Sequence, residues 1–202
     1  NNTDGSITVE YQAVVLNVTG NQAGTALDNS AVFSWNNDPA TEITRDATDV
    51  VVREAHVEVS KSVQVNAPSG ATTGDAGDAV EYTIVIQNTG GYDAFDVTFS
   101  DTLPTLSSGS SAILGATFSV VDSLGGGVSA SDFTLSGDDA NGYSLSLNGG
   151  VDLDLLKSEG ARTITLTVSG TIASSVGPNE VIANTANAQW TSLDGNIASR
   201  SA

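Results

Sequence analysis

The chain has 202 residues, and its 24 acidic side chains against six basic ones give a formal net charge of −18. That balance argues against a nucleic-acid partner or an anionic membrane surface, and the absence of cysteine removes disulfides, zinc-thiolate sites and thiol catalysis together. An apolar fraction of 39% is enough for a packed core, so the acidity does not imply disorder.

Short alternating runs follow one another between turn residues. In chain order they occupy 7–15, 31–35, 50–61, 79–87, 95–100, 116–121, 143–147, 163–172 and 180–190. They are rich in Val, Ile and Thr, which suit a pleated, half-buried surface. Gly, Asn and Asp between them supply turns. Period-two alternation over this many runs predicts an all-β fold, an Ig-like antiparallel β-sandwich with Greek-key topology. Helical spacing is nearly missing: 151–158 has room for a turn or two, and 129–133 for a short 3-10 piece. No apolar run approaches the ~18–20 residues needed to cross a membrane, so no membrane insertion is expected.

The chain also repeats itself. Residues 5–47 align without a gap on 160–202, which places Trp35 on Trp190, the only two tryptophans. Asn29-x-Ala31 falls on Asn184-x-Ala186, Arg45 on Arg200, and the alternation Val9, Tyr11, Ala13 on Ile164, Leu166, Val168. This is the signature of a tandem array. It predicts that residues 1–54 are the C-terminal part of one β-sandwich repeat, incomplete, and that 55–202 are a nearly complete second repeat. The segment 48–65 joins them without a proline or a Gly/Ser hinge, as a stiff strand-like connection.

Val59-Ser-Lys61, then Gly77-Asp78-Ala-Val-Glu-Tyr82-Thr-Ile, Asn88-Thr89-Gly90, Asp101-Thr-Leu103-Pro104 and Asn184-Thr-Ala186 stand in one order along the chain. Together they resemble a conserved Ig-like repeat domain of bacterial surface proteins. The acidic, cysteine-free style and the long period resemble the extender region of repeats-in-toxin (RTX) adhesins. That resemblance implies a non-enzymatic spacer at the bacterial cell surface, with neighbouring repeats of the same chain as partners. It also implies Ca2+ as stiffener, and an adhesion ligand bound by other domains. A binding module for carbohydrate or protein is the competing reading, with Tyr92, Asp93 and the loop 105–111 as its candidate features. A surface-layer or envelope repeat is another.

Hard cations take carboxylate and carbonyl oxygens gathered on loops. Asp38, Glu42, Asp46 and Asp49 near the junction, Asp93 and Asp96 after Gly90-Gly91, and Asp138-Asp139 with Asn141 are therefore the candidate Ca2+ ligands. None follows an EF-hand spacing, and a solvated acidic surface accounts for them equally. A Lys–Asn isopeptide crosslink is the sharper chemical alternative. It needs an early-strand lysine, a late-strand asparagine and a buried carboxyl group, for which Lys61, Asn184 or Asn187, and Glu81 are the candidates. Glu81 alternates opposite Tyr82 and Ile84, which counts against it. The motif residues also have structural readings: Gly77-Asp78 as a capped turn, Asn88-Thr89-Gly90-Gly91 as a hairpin turn, and Asp101 as a strand-ending Asx residue. Catalysis finds little footing. His56 is a lone histidine on an alternating strand, Asp152 and Asp154 are a chance acidic pair, and Gly125-Gly-Gly127 lacks the lysine of a phosphate loop.

Overall fold

The structure is a computed structural model and describes residues 7–16, 18–35 and 38–195. It divides into two compact units, Asn1–Arg53 and Glu54–Ala202.

Among its described residues the first unit holds four short strands. β1 (Ala26–Leu27) pairs antiparallel with β4 (Val50–Val51), and β2 (Ser30–Phe33) pairs antiparallel with β3 (Ile43–Asp46). A 3-10 turn at Pro39–Thr41 lies between β2 and β3, with Asp38 accepting a hydrogen bond from the Ala40 amide at 2.9 Å. The strand expected over 7–15 does not form, although its alternation is regular. Val9 is 79% exposed and Tyr11 66%. An alternating run needs a second apolar surface to cover one of its faces, and among the described residues of this unit none does.

The second unit is a sandwich of two four-stranded sheets. It is built from β5 (Val57–Val65), β6 (Ala79–Asn88), β7 (Phe95–Thr102), β8 (Ile113–Asp122), β9 (Phe133–Asp138), β10 (Gly142–Leu147), β11 (Thr163–Ile172) and β12 (Ala186–Thr191). One sheet has the order β5-β6-β11-β8 and the other β12-β7-β10-β9, with every pair of neighbours antiparallel. The chain changes sheet at five of its seven connections, so strands far apart in sequence lie side by side, in Ig-like Greek-key fashion.

Alternation decides what the sheets bury. Val80, Tyr82, Ile84 and Ile86 of β6, and Ile164, Leu166 and Val168 of β11, face inward and are buried. Val97 and Phe99 of β7 and Leu145 of β10 meet them from the other sheet, and Leu153 and Leu155 join this core. β5 and β12, each an outer strand of its own sheet, lie against one another. The core therefore ends at this edge on the first and last strands of the unit.

Three expectations need correction here. The stiff strand over 48–65 is interrupted, because β4 pairs within the first unit and β5 within the second, leaving 52–56 outside any ladder. The closing strand expected over 180–190 begins only at Ala186. The hairpin expected at Asn88-Thr89-Gly90-Gly91 is instead a crossing between sheets, from β6 to β7. Asn88 is buried there and uses its whole carboxamide. Its Nδ2 donates to the Tyr92 and Leu155 carbonyls at 2.7 and 2.9 Å, while its Oδ1 accepts from the His56 and Gly90 amides at 3.2 and 3.0 Å. Gly90 is required by close approach, since a Cβ there would stand 2.2 Å from the His56 nitrogen. The 151–158 stretch supplies only a 3-10 turn at Lys157–Glu159, while 129–133 contains the one expected, at Ala130–Asp132.

Truncating Leu166, which is fully buried at the centre of β11, removes transfer free energy and leaves a cavity, so Leu166→Ala is expected to cost about 2–5 kcal/mol in urea unfolding. Gly90→Ala is expected to lower the midpoint as well, whereas Val121→Ala, on the 62% exposed face of β8, is expected to leave it nearly unchanged.

Candidate functional site

Two buried ion pairs stand out in a chain with so few cations. The first lies at the β5–β12 edge of the sandwich. Residues Val57, Val59, Lys61, Val63 and Val65 share the inward parity of β5, so a lysine stands in a row of valines. On β7 the inward row is Val97, Phe99 and Asp101. The Lys61 Nζ donates to Asp101 Oδ2 at 2.6 Å, with side-chain exposures of 12% and 0%. The Nζ also lies 5.1 Å from the centroid of the Tyr82 ring, a cation–π distance.

Burial drives the Lys61 ammonium below its ordinary pKa, with the Asp101 hydrogen bond and charge opposing. Burial pushes the Tyr82 hydroxyl up, helped by the charge of Asp101. Both shifts express the same desolvation.

Asn184 completes this corner. Ala186 is the register partner of Asp101 across the β12–β7 ladder, and Asn184 shares the parity of Ala186, Ala188 and Trp190, all packed on the core. Both polar atoms of its carboxamide are buried, and among the described residues neither has a hydrogen-bond partner. The same is true of the second oxygen of Asp101, Oδ1. Three orphaned polar atoms at one corner are costly, since each forfeits about 1–3 kcal/mol of hydration.

The second ion pair is complete. The Arg162 Nη2 meets Asp122 Oδ2 at 2.7 Å, and its Nη1 meets Glu159 at 3.0 Å. Asp122 also accepts from the Leu124, Gly127 and Val128 amides at 3.0, 3.1 and 3.1 Å. The Gly125-Gly-Gly127 loop is therefore a cradle for a carboxylate and a guanidinium, and a Cβ at Gly127 would stand 2.1 Å from Arg162 Nη2. The Arg162 hydrogen bond leads in holding the Asp122 carboxyl below the usual range, and the same bond leads in raising Arg162.

The sequence-predicted residues fall elsewhere. Asp38 caps its 3-10 turn, Asp46 ends β3 opposite Ser30, and Glu42 and Asp49 lie in the first unit near the ends of that strand. In the second unit Asp93 accepts from the Lys157 amide at 2.6 Å, and Asp96 from the Thr191 hydroxyl at 3.0 Å. Asp138 accepts from the Ala140 and Asn141 amides, and Asp139 from the Gly115 amide and the Tyr143 hydroxyl. Asp38, Asp93, Asp96, Asp138 and Asp139 thus each have a local structural task. Among the described residues, no three His, Asp or Glu side chains gather as a metal site requires. Asp154 comes nearest to an acidic cluster. Burial raises its pKa, the Asp96 amide opposes this, and the charges of Asp152, Asp194 and Asp96 add to the rise.

The buried carboxyl beside Lys61 is Asp101 and not Glu81. Glu81 faces away from the core on β6, opposite Gln64, and is only partly buried, while Asn187 is exposed. Asp101 does not end its strand as an Asx residue either; it lies inside β7. The sequence signal that could have found it was its place in the row Val97, Phe99, Asp101. His56 is exposed in the stretch before β5, its ring edge-on to Trp190 at 6.1 Å. Gly77-Asp78 is a capped turn as expected, with Asp78 accepting from the Asp75 amide at 2.8 Å.

No protein-family description matches the chain, and no curated protein matches it. Among solved structures, the chain is similar to the pilus backbone RrgB of Streptococcus pneumoniae at 18% identity and TM-score 0.40, covering 68% of this chain and 52% of that one. It is also similar to the BcpA major pilin subunit of Bacillus cereus at 9% identity and TM-score 0.42, covering 87% and 62%. The chain spans about half the length of the first and a quarter (24%) of full-length RrgB, where the TM-score is 0.38.

Replacing Arg162 by Met leaves the Asp122 carboxylate buried with backbone donors alone. Removing one partner of a buried pair is expected to cost about 3 kcal/mol in urea unfolding at neutral pH. Because the folded pKa of Asp122 is depressed, its stabilising contribution is present above the unfolded value of about 3.9 and is lost as pH falls through the lower folded value. The stability gap between the parent chain and Asp122→Asn should therefore narrow below about pH 4.

Proposed function

We propose that the chain is a structural repeat module of a bacterial surface protein, a spacer whose task is to hold its shape under load. The observation that carries this reading is the tandem recurrence of the sandwich's closing sequence, Asn184-x-Ala186 to Trp190, as Asn29-x-Ala31 to Trp35. Interior bracing supports it. The two buried cations tie strands and loops of the sandwich together. Non-catalytic function is part of the proposal.

Two finer versions differ in chemistry. An RTX-type extender draws stiffness from Ca2+ at its junctions, whereas a covalently braced surface repeat draws it from within each sandwich. The Lys61–Asp101 pair beside Asn184 favours the second. Calcium remains a proposal supported by charge alone, 24 acids against six bases. Among the described residues, no helix is long and apolar enough to cross a membrane.

The spacer reading predicts no reproducible ligand on glycan or peptide arrays probed with the full chain, and a specific, saturable hit would overturn it in favour of a binding module. Calcium bracing predicts a melting temperature that rises with added Ca2+ and returns with chelator. Indifference to both removes calcium and leaves the spacer reading standing.

A further inference from the structure

The β5–β12 edge brings together an amine, a carboxyl and a carboxamide out of water. An aliphatic amine becomes a nucleophile only when it loses its proton, and burial favours that loss. A carboxamide is a poor electrophile in water. It becomes a better one when its oxygen meets a hydrogen-bond donor in a dry site and the nucleophile is held next to it. Lys61, Asp101 and Asn184 supply these three parts, and the unpartnered atoms are the ones the reaction would use: Asp101 Oδ1, Asn184 Oδ1 and Asn184 Nδ2.

We infer that Lys61 and Asn184 form an intramolecular isopeptide bond, with Asp101 as the proton carrier. The Lys61 ammonium passes a proton to the Asp101 carboxylate through their 2.6 Å contact, leaving a neutral amine and a neutral carboxyl. The amine nitrogen attacks Asn184 Cγ while the Asp101 carboxyl donates to Asn184 Oδ1. Asp101 then relays a proton from Nζ to Nδ2, the Cγ–Nδ2 bond breaks, and ammonia leaves. The new Nζ–Cγ amide keeps one hydrogen and Asp101 keeps the proton it first received, so atoms and charge balance without a co-reactant.

The lowered Lys61 pKa is in keeping with the first step. The product also relieves the corner, because the ammonium's charge is gone from the interior and the amide oxygen gains the Asp101 carboxyl as donor. The bond joins the first strand of the unit to the segment entering its last. Tension entering at β5 and leaving along β12 would then cross covalently, and the strands between would bear none of it.

The crosslink goes beyond the spacer reading, and its test is independent of it. The intact mass of the purified full chain is expected to lie one ammonia below the sequence mass, and proteolysis to release a branched peptide joining Lys61 to Asn184. Asn184→Ala and Lys61→Met are expected to have their full sequence masses, and Asp101→Asn to lose the bond while circular dichroism still reports a β fold. Glu81→Gln and Asn187→Ala should keep it. Should Asp101→Asn fail to fold, the branched peptide in the parent chain together with its absence from Asn184→Ala decides the matter. A folded parent chain of full mass overturns the proposal. So does an ammonia loss that maps to an unbranched peptide, such as an imide at Asn141-Gly142 or Asn148-Gly149.

Discussion

The sandwich depends on how its open edge is closed. Two twisted sheets can bury their inner faces against each other, but the seam where β5 meets β12 has to be sealed by side chains from the first and last strands. An all-apolar seam would do this at no electrostatic cost. This chain instead sets Lys61 in a row of valines and Asp101 at the end of Val97 and Phe99. Buried ion pairs are weak contributors to net stability, and well-packed hydrophobic replacements often match or exceed them. A pair held here, with Tyr82 under the ammonium and an unpartnered carboxamide beside it, is poorly explained by stability alone.

Much of the fold was legible because alternation is a direct consequence of the pleat. The inward rows of β6 and β11 are the residues that the pattern singles out, and all of them are buried. Strand β9 escaped notice because Phe133-Thr-Leu-Ser-Gly-Asp offers only two apolar positions before its turn. The role of Asn88 was misread for a different reason. An Asn-Thr-Gly-Gly run carries the residue preferences of a hairpin, but those preferences are local, and what fixes Asn88 is four backbone groups from three separate segments. The candidate site was half legible. Lys61 and Asn184 follow from strand order, whereas the carboxyl partner depends on which sheet each strand joins, and that is a tertiary fact.

The first unit shows the limit of the same reasoning. Ile164, Leu166 and Val168 are fully buried, while Val9, Tyr11 and Ala13, their counterparts in the repeat, are exposed. The sequence pattern is shared and the outcome is not. Within the second unit, β11 is flanked by β6 and β8 and faces the other sheet. Among the described residues of 1–53, no strand pairs with 7–15, so their backbone finds no ladder there and their apolar side chains stay exposed. Periodicity therefore states what a segment is able to bury. Whether it does so depends on the neighbours that the fold places around it.

Comparing the two buried cations shows what separates bracing from reactivity. Around Arg162 each Asp122 oxygen accepts from the guanidinium and from loop amides, so the charges are neutralised and no lone pair is left idle. Such a cluster is at a local minimum and has nothing to gain from chemistry. Arginine suits it, since a guanidinium stays charged and is a poor nucleophile. Around Lys61 the reverse holds. Its amine is the kind that burial can neutralise, its carboxylate has one oxygen unused, and the carboxamide of Asn184, two residues before the register partner of Asp101, has both of its polar atoms unsatisfied. The first arrangement stores stability in hydrogen bonds; the second leaves hydrogen-bonding capacity unspent, and forming an amide with loss of ammonia is the change that would use it.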